Sequence, residues 1–321
     1  MKFVQGILAA AAVAGSVSAG AQTYPTRNVG IVVPYPAGGS VDGVARIMAQ
    51  KLHERLGQSF IVENRAGGAG GIVGANYVAK APPDGYALML TASIHVITPF
   101  LSKNMPYDVV KDFTPISLIA TGPLIVSTTP GVTAGNLKDF FAQVRKEPAK
   151  FTFATSSFGA AGHLAIELLK REAGLDTLVI AYKGAGPMLT DVMSGQVQLV
   201  ADPMLSSLPL AQSGKIKALA VTSLKRVAAA PEIPTVAESG MTGFEFVSWY
   251  GLWGPKALPA DIAAKLQAQV AAIVAEPDVK ERMAILGFAP VGSTSDYFAK
   301  YIDDEMAKYA KIIRDANIKA E

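Results

Sequence analysis

The 321-residue chain has no cysteine, two tryptophans and three histidines, and charged residues make up only 17% of it. Without cysteine, neither disulfides nor a thiol-linked lipid anchor can form. Three scattered histidines with no thiol partner offer no metal-ligand pattern, so no metal and no cofactor is expected. Lys and Arg number 29 against 26 for Asp and Glu, with no basic tract. That balance gives no footprint for nucleic acid. One run, from Phe113 to Leu137, carries no charge at all. Pro115, Gly122, Pro123, Pro130 and Gly131 interrupt it, which argues for buried strands and turns rather than a membrane helix.

The first residues read Met1-Lys2-Phe3, then an Ala-rich apolar run to Val17, then Ser18-Ala19-Gly20-Ala21. One basic residue, a short hydrophobic core and an Ala-x-Ala end are the parts of a secretory signal peptide, 1–21, cut after Ala21. The core is too short for a membrane anchor. Export to a periplasm fits a cysteine-free chain, and the mature protein is expected to be soluble and monomeric. About 300 mature residues suffice for two lobes.

The rest of the chain is organised around Ile31-Val32-Val33-Pro34-Tyr35-Pro36-Ala37-Gly38-Gly39-Ser40. Three β-branched residues make a buried strand, and a Pro/Gly cluster stops it. Val41, Val44, Ala45, Met48, Leu52 and Leu56 then recur at helical spacing from a start at Ser40 or Asp42. A strand feeding a Gly-Gly-Ser turn into a helix N-terminus leaves several N–H groups aimed at one point, an anion site without a charged side chain. The alternative is a tight connection and nothing more. The strand Phe60 to Asn64 leads to a second glycine run, Gly67 to Gly74. Its spacing, Gly68-x-Gly70-x-x-x-Gly74, is one residue too long for a dinucleotide fingerprint, which favours close helix packing.

Tyr86 to Leu90 is a third strand, and Thr91-Ala92-Ser93 after it begins a candidate ligand loop. Ile116 to Ile119 and Leu124 to Ser127 read as strands separated by a break at Thr121-Gly122-Pro123. Phe151 to Ala154 is a strand followed by Thr155-Ser156-Ser157-Phe158-Gly159-Ala160-Ala161-Gly162 and a helix opening near His163, repeating the first arrangement. A strand Leu178 to Tyr182 ends at Lys183-Gly184-Ala185-Gly186-Pro187, and Val197 to Ala201 places Asp202 at a strand's C-terminal end, where ligands of open α/β sheets bind. Asp202 is either a ligand contact or a helix N-cap or turn acid before Pro203. Tyr35 is either a pocket wall or packing under its loop, and His163 either a contact or a helix-opening residue. Trp249 and Trp253 read as hinge or core aromatics. Helices fill Pro259 to Ala275, Asp278 to Leu286 and Ser295 to Asn317. Alternating strands and helices imply mostly parallel sheets between helices. An exported hydrolase using Ser156 or Ser157 with His163 is the competing class, but no Gly-x-Ser-x-Gly elbow is present.

The ordered set of motifs resembles the Bug-type periplasmic solute-binding proteins of tripartite tricarboxylate transporters. It comprises the Tyr35 to Ser40 loop with Asp42 and Arg46, Val62-Glu63-Asn64-Arg65, Pro83-Asp84-Gly85-Tyr86, His163-Leu164-Ala165, Tyr182-Lys183-Gly184 and Trp249-Tyr250-Gly251. Departures are Ala66, Ala181, Thr98 and Ala201, where the family often has Pro, Pro, Asn and an aromatic residue. The resemblance implies a two-lobed α/β Venus-flytrap fold with two crossovers, lobe 1 being 22–122 plus 248–321 and lobe 2 being 123–247. It implies no catalysis, but binding of a small organic carboxylate and its delivery to membrane subunits of the transporter. The acid could be a di- or tricarboxylate, an acidic amino acid or an aromatic acid, and a sensor role at the membrane would use the same cleft. Backbone N–H groups, hydroxyls and bridging waters of the loops Tyr35 to Ser40 and Thr155 to His163 would hold its oxygens. The expected ligand-binding set is Tyr35, Pro36, Ala37, Gly38, Gly39, Ser40, Ser93, Thr155, Ser156, Gly159, Ala161, His163, Tyr182 and Asp202.

Overall fold

The computed structural model describes residues 24–318, and the signal-peptide assignment lies outside them. Strand β1 (Val29–Val33) is buried along nearly its whole length and leads to helix α1 (Ser40–Leu56), which turns Val44, Ala45, Met48 and Leu52 into the core. Gly57, left-handed at φ 73°, ends the helix by returning its N–H to His53 O at 2.9 Å. β1 runs parallel to β2 (Phe60–Asn64) on one side and to β3 (Ala87–Ala92) on the other. Helix α2 (Ile72–Ala79) connects them and a short helix α3 (Ile94–Ile97) follows.

A second unit repeats this plan. β5 (Thr152–Thr155) lies parallel to and between β6 (Leu178–Ala181) and β7 (Leu199–Pro203), and α5 (Ala161–Ala173) opens from its C-terminal end. Helix α4 (Leu137–Lys146) precedes β5, α6 (Ala185–Ser194) joins β6 to β7, and α7 (Met204–Gln212) leads to β8 (Lys217–Val221).

The expected break at Thr121-Gly122-Pro123 is absent. One 16-residue strand, β4 (Phe113–Thr128), runs through it. Gly122 and Pro123 stay in register opposite Ser248 and Val247 of β9 (Val247–Pro255), and two irregularities, at Pro115/Ser117 and Leu118/Ala120, absorb the twist. Gly122 is there for a close approach rather than a turn, since a Cβ on it would lie 3.0 Å from the Phe288 ring. The uncharged run is thus a strand crossing from one half of the molecule to the other. Residues up to Pro123 pair with β9, and Leu124 to Thr128 pair with β7 and β8.

The second crossing enters β9 from Thr222. Phe246 N–H donates to Thr222 O at 2.9 Å, and Leu124 N–H to Thr222 Oγ1 at 2.8 Å. Because β4 and β9 cross in opposite directions, they pair antiparallel, as do β3 with β9 and β4 with β7 and β8. The parallel pairing implied by strand–helix alternation is therefore confined to the two three-stranded ribbons. Helix α7 had no sequence signal, because Met204 to Gln212 contains no charge to mark a polar face and has Pro209 inside it.

The chain then closes the first half with α8 (Ala260–Ala275), α9 (Pro277–Ile285), a two-residue β10 (Ala289–Pro290) against β4, and α10 (Ser295–Asp315). No helix among the described residues is long and apolar enough to cross a membrane. Helix α10 seats on β9. Trp249 Nε1 donates to Glu305 Oε2 and Tyr309 Oη, 3.1 Å each, inside the core. Gly251 lies flat beneath Phe298, whose Cζ would be 2.2 Å from a Cβ there. Gly251→Ala should therefore push α10 from the sheet and cost on the order of 1–3 kcal/mol or more in urea unfolding. An unchanged midpoint would contradict that contact.

Candidate functional site

The loop after β1 is held from below and behind. Gly38 is exposed and left-handed at φ 85°, and its N–H donates to Asp42 Oδ2 at 3.0 Å. Asp42, 4% exposed, also accepts from Arg46 Nε and Nη2 at 2.8 and 3.0 Å and from Asn64 Nδ2 at 3.1 Å. Burial pushes this carboxyl up, but the bonds from Arg46, Gly38 and Asn64 together hold it below the usual carboxylate range. Asn64 Nδ2 reaches Tyr35 O as well, at 3.1 Å. Tyr35 Oη meets Thr91 Oγ1 at 2.9 Å, and burial raises its pKa. The glycine run has the bland role of the two considered. Cβ atoms on Gly71 and Gly74 would each lie 2.8 Å from Pro34 Cβ, so these glycines let α2 press against the loop.

Gly39, the N-cap of α1, has no side chain to turn back on the first-turn N–H groups, and Ala160, the N-cap of α5, makes no cap bond either. Helices α4 and α10 are capped in the ordinary way by Asn136 and Thr294. In the second loop Thr155 is buried and Ser156 half-buried, while Gly159, left-handed at φ 74°, donates its N–H to His163 Nδ1 at 3.2 Å. Burial, reinforced by Lys170, pushes His163 down to about 4, so its ring is neutral at physiological pH with the proton on Nε2. Gly162 permits α5 to touch β7, since a Cβ on it would lie 2.1 Å from Ala201 O.

Each loop lies beside a contact between the halves. A Cβ on Gly43 of α1 would lie 2.8 Å from Leu205 Cδ2 of α7, and one on Gly159 would lie 2.9 Å from Leu101 Cδ1. Near the joint runs a set of hydroxyls, of which the sequence singled out Ser40 and Ser93 for the ligand but not Ser248 or Tyr250. Tyr250 Oη lies beside the hydroxyls of Ser40 and Ser248, and Ser248 Oγ is 3.5 Å from Ser93 Oγ. Burial lifts Tyr250 to about 12 and the nearby Asp202 charge adds to the rise. Asp202 is 1% exposed and accepts from Ser206 and Ser207. Thus Ser40, Ser93 and Asp202 gather about Ser248 and Tyr250, and the second loop reaches β7 beside Asp202 through Gly162. Tyr182 adjoins the second loop through its N–H, which donates to Thr155 O at 2.9 Å, while its Oη bonds Asp191 Oδ2 of α6 at 2.5 Å and its ring packs on the α6 cluster. The Trp249-Tyr250-Gly251 motif was the signal for Tyr250; only the pairing of β9 shows where that hydroxyl points.

The sequence profile described as "Tripartite tricarboxylate transporter family receptor" matches residues 44–318. The chain belongs to that family. It is 35% identical to Protein BugT of Bordetella pertussis over 314 residues, 97% of this chain and 95% of that protein. The solved structure of R. palustris Rpa4515 with adipate is similar at 35% identity and a TM-score of 0.89, covering 93% of this chain and all of that one. MatC from Rhodopseudomonas palustris with bound malate is similar at 30% identity and a TM-score of 0.82, covering 90% of this chain and all of that one. The family's two-lobed binding-protein architecture, with two crossovers, is the fold of this chain.

Asp202 gives the interface a pH dependence. Burial pushes its carboxyl up to about 6, with the Ser206 and Ser207 hydroxyls opposing. Between the unfolded value and that one, the folded chain holds a proton the unfolded chain has lost. Its contribution is full below the unfolded value and lost as pH rises through about 6. Asp202→Asn should therefore gain melting temperature relative to the parent at about pH 8 compared with about pH 4. An equal difference at both pH values would contradict a buried, titrating Asp202.

Proposed function

We propose that this protein captures a small organic carboxylate between its two lobes, residues 22–122 with 248–321 and residues 123–247, and delivers it to the membrane subunits of a tripartite tricarboxylate transporter in the periplasm. The observation carrying this reading is a pair of loops, each beside a contact between the halves and each running from a parallel strand to an uncapped helix N-terminus. Neither loop contains Lys or Arg. Donors of this kind suit an anion that must be held and then released. A helix terminus contributes about 0.3–1 kcal/mol and each bond to a charged acceptor about 1.5–3 kcal/mol before ordering costs. The relatives described with adipate and malate support a dicarboxylate as the first acid to test. Ligand touching both lobes would favour the closed arrangement, because only contacts better made there shift the balance.

The hydrolase alternative finds no support in the geometry. His163 Nδ1 accepts from a backbone N–H, and Ser157 Oγ donates to Phe158 O. No nucleophile–base bond links Ser156 or Ser157 to His163 among the described residues.

A thermal-shift panel of di- and tricarboxylates, acidic amino acids and aromatic acids tests the reading. An acid at a hundred times its Kd should add about 2.7 kcal/mol to stability. A flat panel, repeated after unfolding and refolding to strip retained ligand, would overturn it. Gly39→Val is the matching variant: φ there is −81° and the nearest atom to a Cβ is Pro36 O at 3.9 Å, so the backbone accepts a side chain. It should fold and lose binding by filling the mouth of the first loop. Unchanged affinity would remove that loop from the site.

A further inference from the structure

The two loops share a device that does not show as a sequence repeat. Counting from the helices, Gly39 and Ala160 are N-caps, Gly38 and Gly159 stand one residue earlier, and Asp42 and His163 both fall at the third helical position. Both glycines are left-handed, at φ 85° and 74°. Both give their N–H to the side chain four residues on, at 3.0 Å in one loop and 3.2 Å in the other. An ordinary capping box sends the third-position side chain back to the N-cap N–H, while the N-cap side chain covers a first-turn N–H. Here the first half of that exchange is moved one residue back and the second half is missing.

We propose that Asp42 and His163 are a matched pair of positioning residues, each pinning the glycine before its helix so that the first-turn N–H groups stay free for the ligand's carboxylate. The proposal rests on the carboxylate-binding reading above. The two acceptors differ in chemistry because their surroundings differ. Asp42 has Arg46 and Asn64 to offset its charge. His163 sits under Phe158, ring centroids 4.8 Å apart, and accepts without any charge. Both braces thus hold a loop without setting an uncompensated negative charge beside the incoming anion.

The test compares two substitutions at each position. His163→Leu and Asp42→Leu remove the acceptor; His163→Asn and Asp42→Asn restore an oxygen near it. Affinity for the best acid of the panel is measured by calorimetry, and amide exchange at Gly38 and Gly159 is followed in the ligand-free protein. We expect each Leu variant to weaken binding roughly tenfold or more, with faster exchange at its own glycine, and each Asn variant to recover most of both. Equal losses in Leu and Asn, or a Leu variant with full affinity, would overturn the pairing. Should one Leu variant fail to fold, its Asn counterpart and the other loop still decide. If the parent binds no acid, the functional reading fails, while amide exchange still reports on the braces.

Discussion

The antiparallel pairing of β4 with β9, from Phe113 opposite Pro255 to Pro123 opposite Val247, is the interaction on which the rest of the structure depends. One edge of β9 holds β3 and through it the first parallel ribbon. The far end of β4 holds β7 and β8 and through them the second. Where the two chains leave one half for the other, Leu124 and Thr222 are tied by backbone and hydroxyl bonds. The strand that joins the halves also carries Ser248 and Tyr250, so the polar floor between the loops and the joint between the halves belong to one element. Any change in how the halves sit must be accommodated by residues next to that floor.

The charge arrangement around the loops is economical. Asp42 is neutralised by Arg46, His163 is held neutral by burial, and Asp202 keeps a proton to a higher pH than an ordinary carboxyl. The loops themselves therefore present dipoles and hydroxyls, while Asp202 beside them ionises only as pH rises through about 6. Such donors lose little on reorganisation and are stronger in a region of low dielectric than in water. They also leave the choice of ligand to spacing and shape, which fits a family whose members are described with different acids.

The sequence displayed the two strand–loop–helix units because each is specified locally. β-branched residues, a glycine turn and an apolar face at helical spacing lie within about one supersecondary unit. What it hid depends on distant partners. Gly122 and Pro123 look like a turn until Phe288 is brought against them, and β4 then runs straight through. Helix α7 lacks the charges that mark a solvent face. Tyr250 and Ser248 become neighbours of Ser40 only through β9, and Tyr182, placed with the site by its motif, is engaged by Asp191 of the following helix. Asp42 was visible as a first-turn acid of α1, but its bond to Gly38 is a property of the left-handed glycine.

The place of β9 in the chain sets an order on synthesis. β3 waits for a neighbour that comes only with Val247–Pro255, after the whole of the second half has been made. Helix α10, which covers that strand, is later still. A ribosome-bound chain therefore carries an open strand edge and an uncovered apolar face for most of its length, and its first-made half is among the last to be finished.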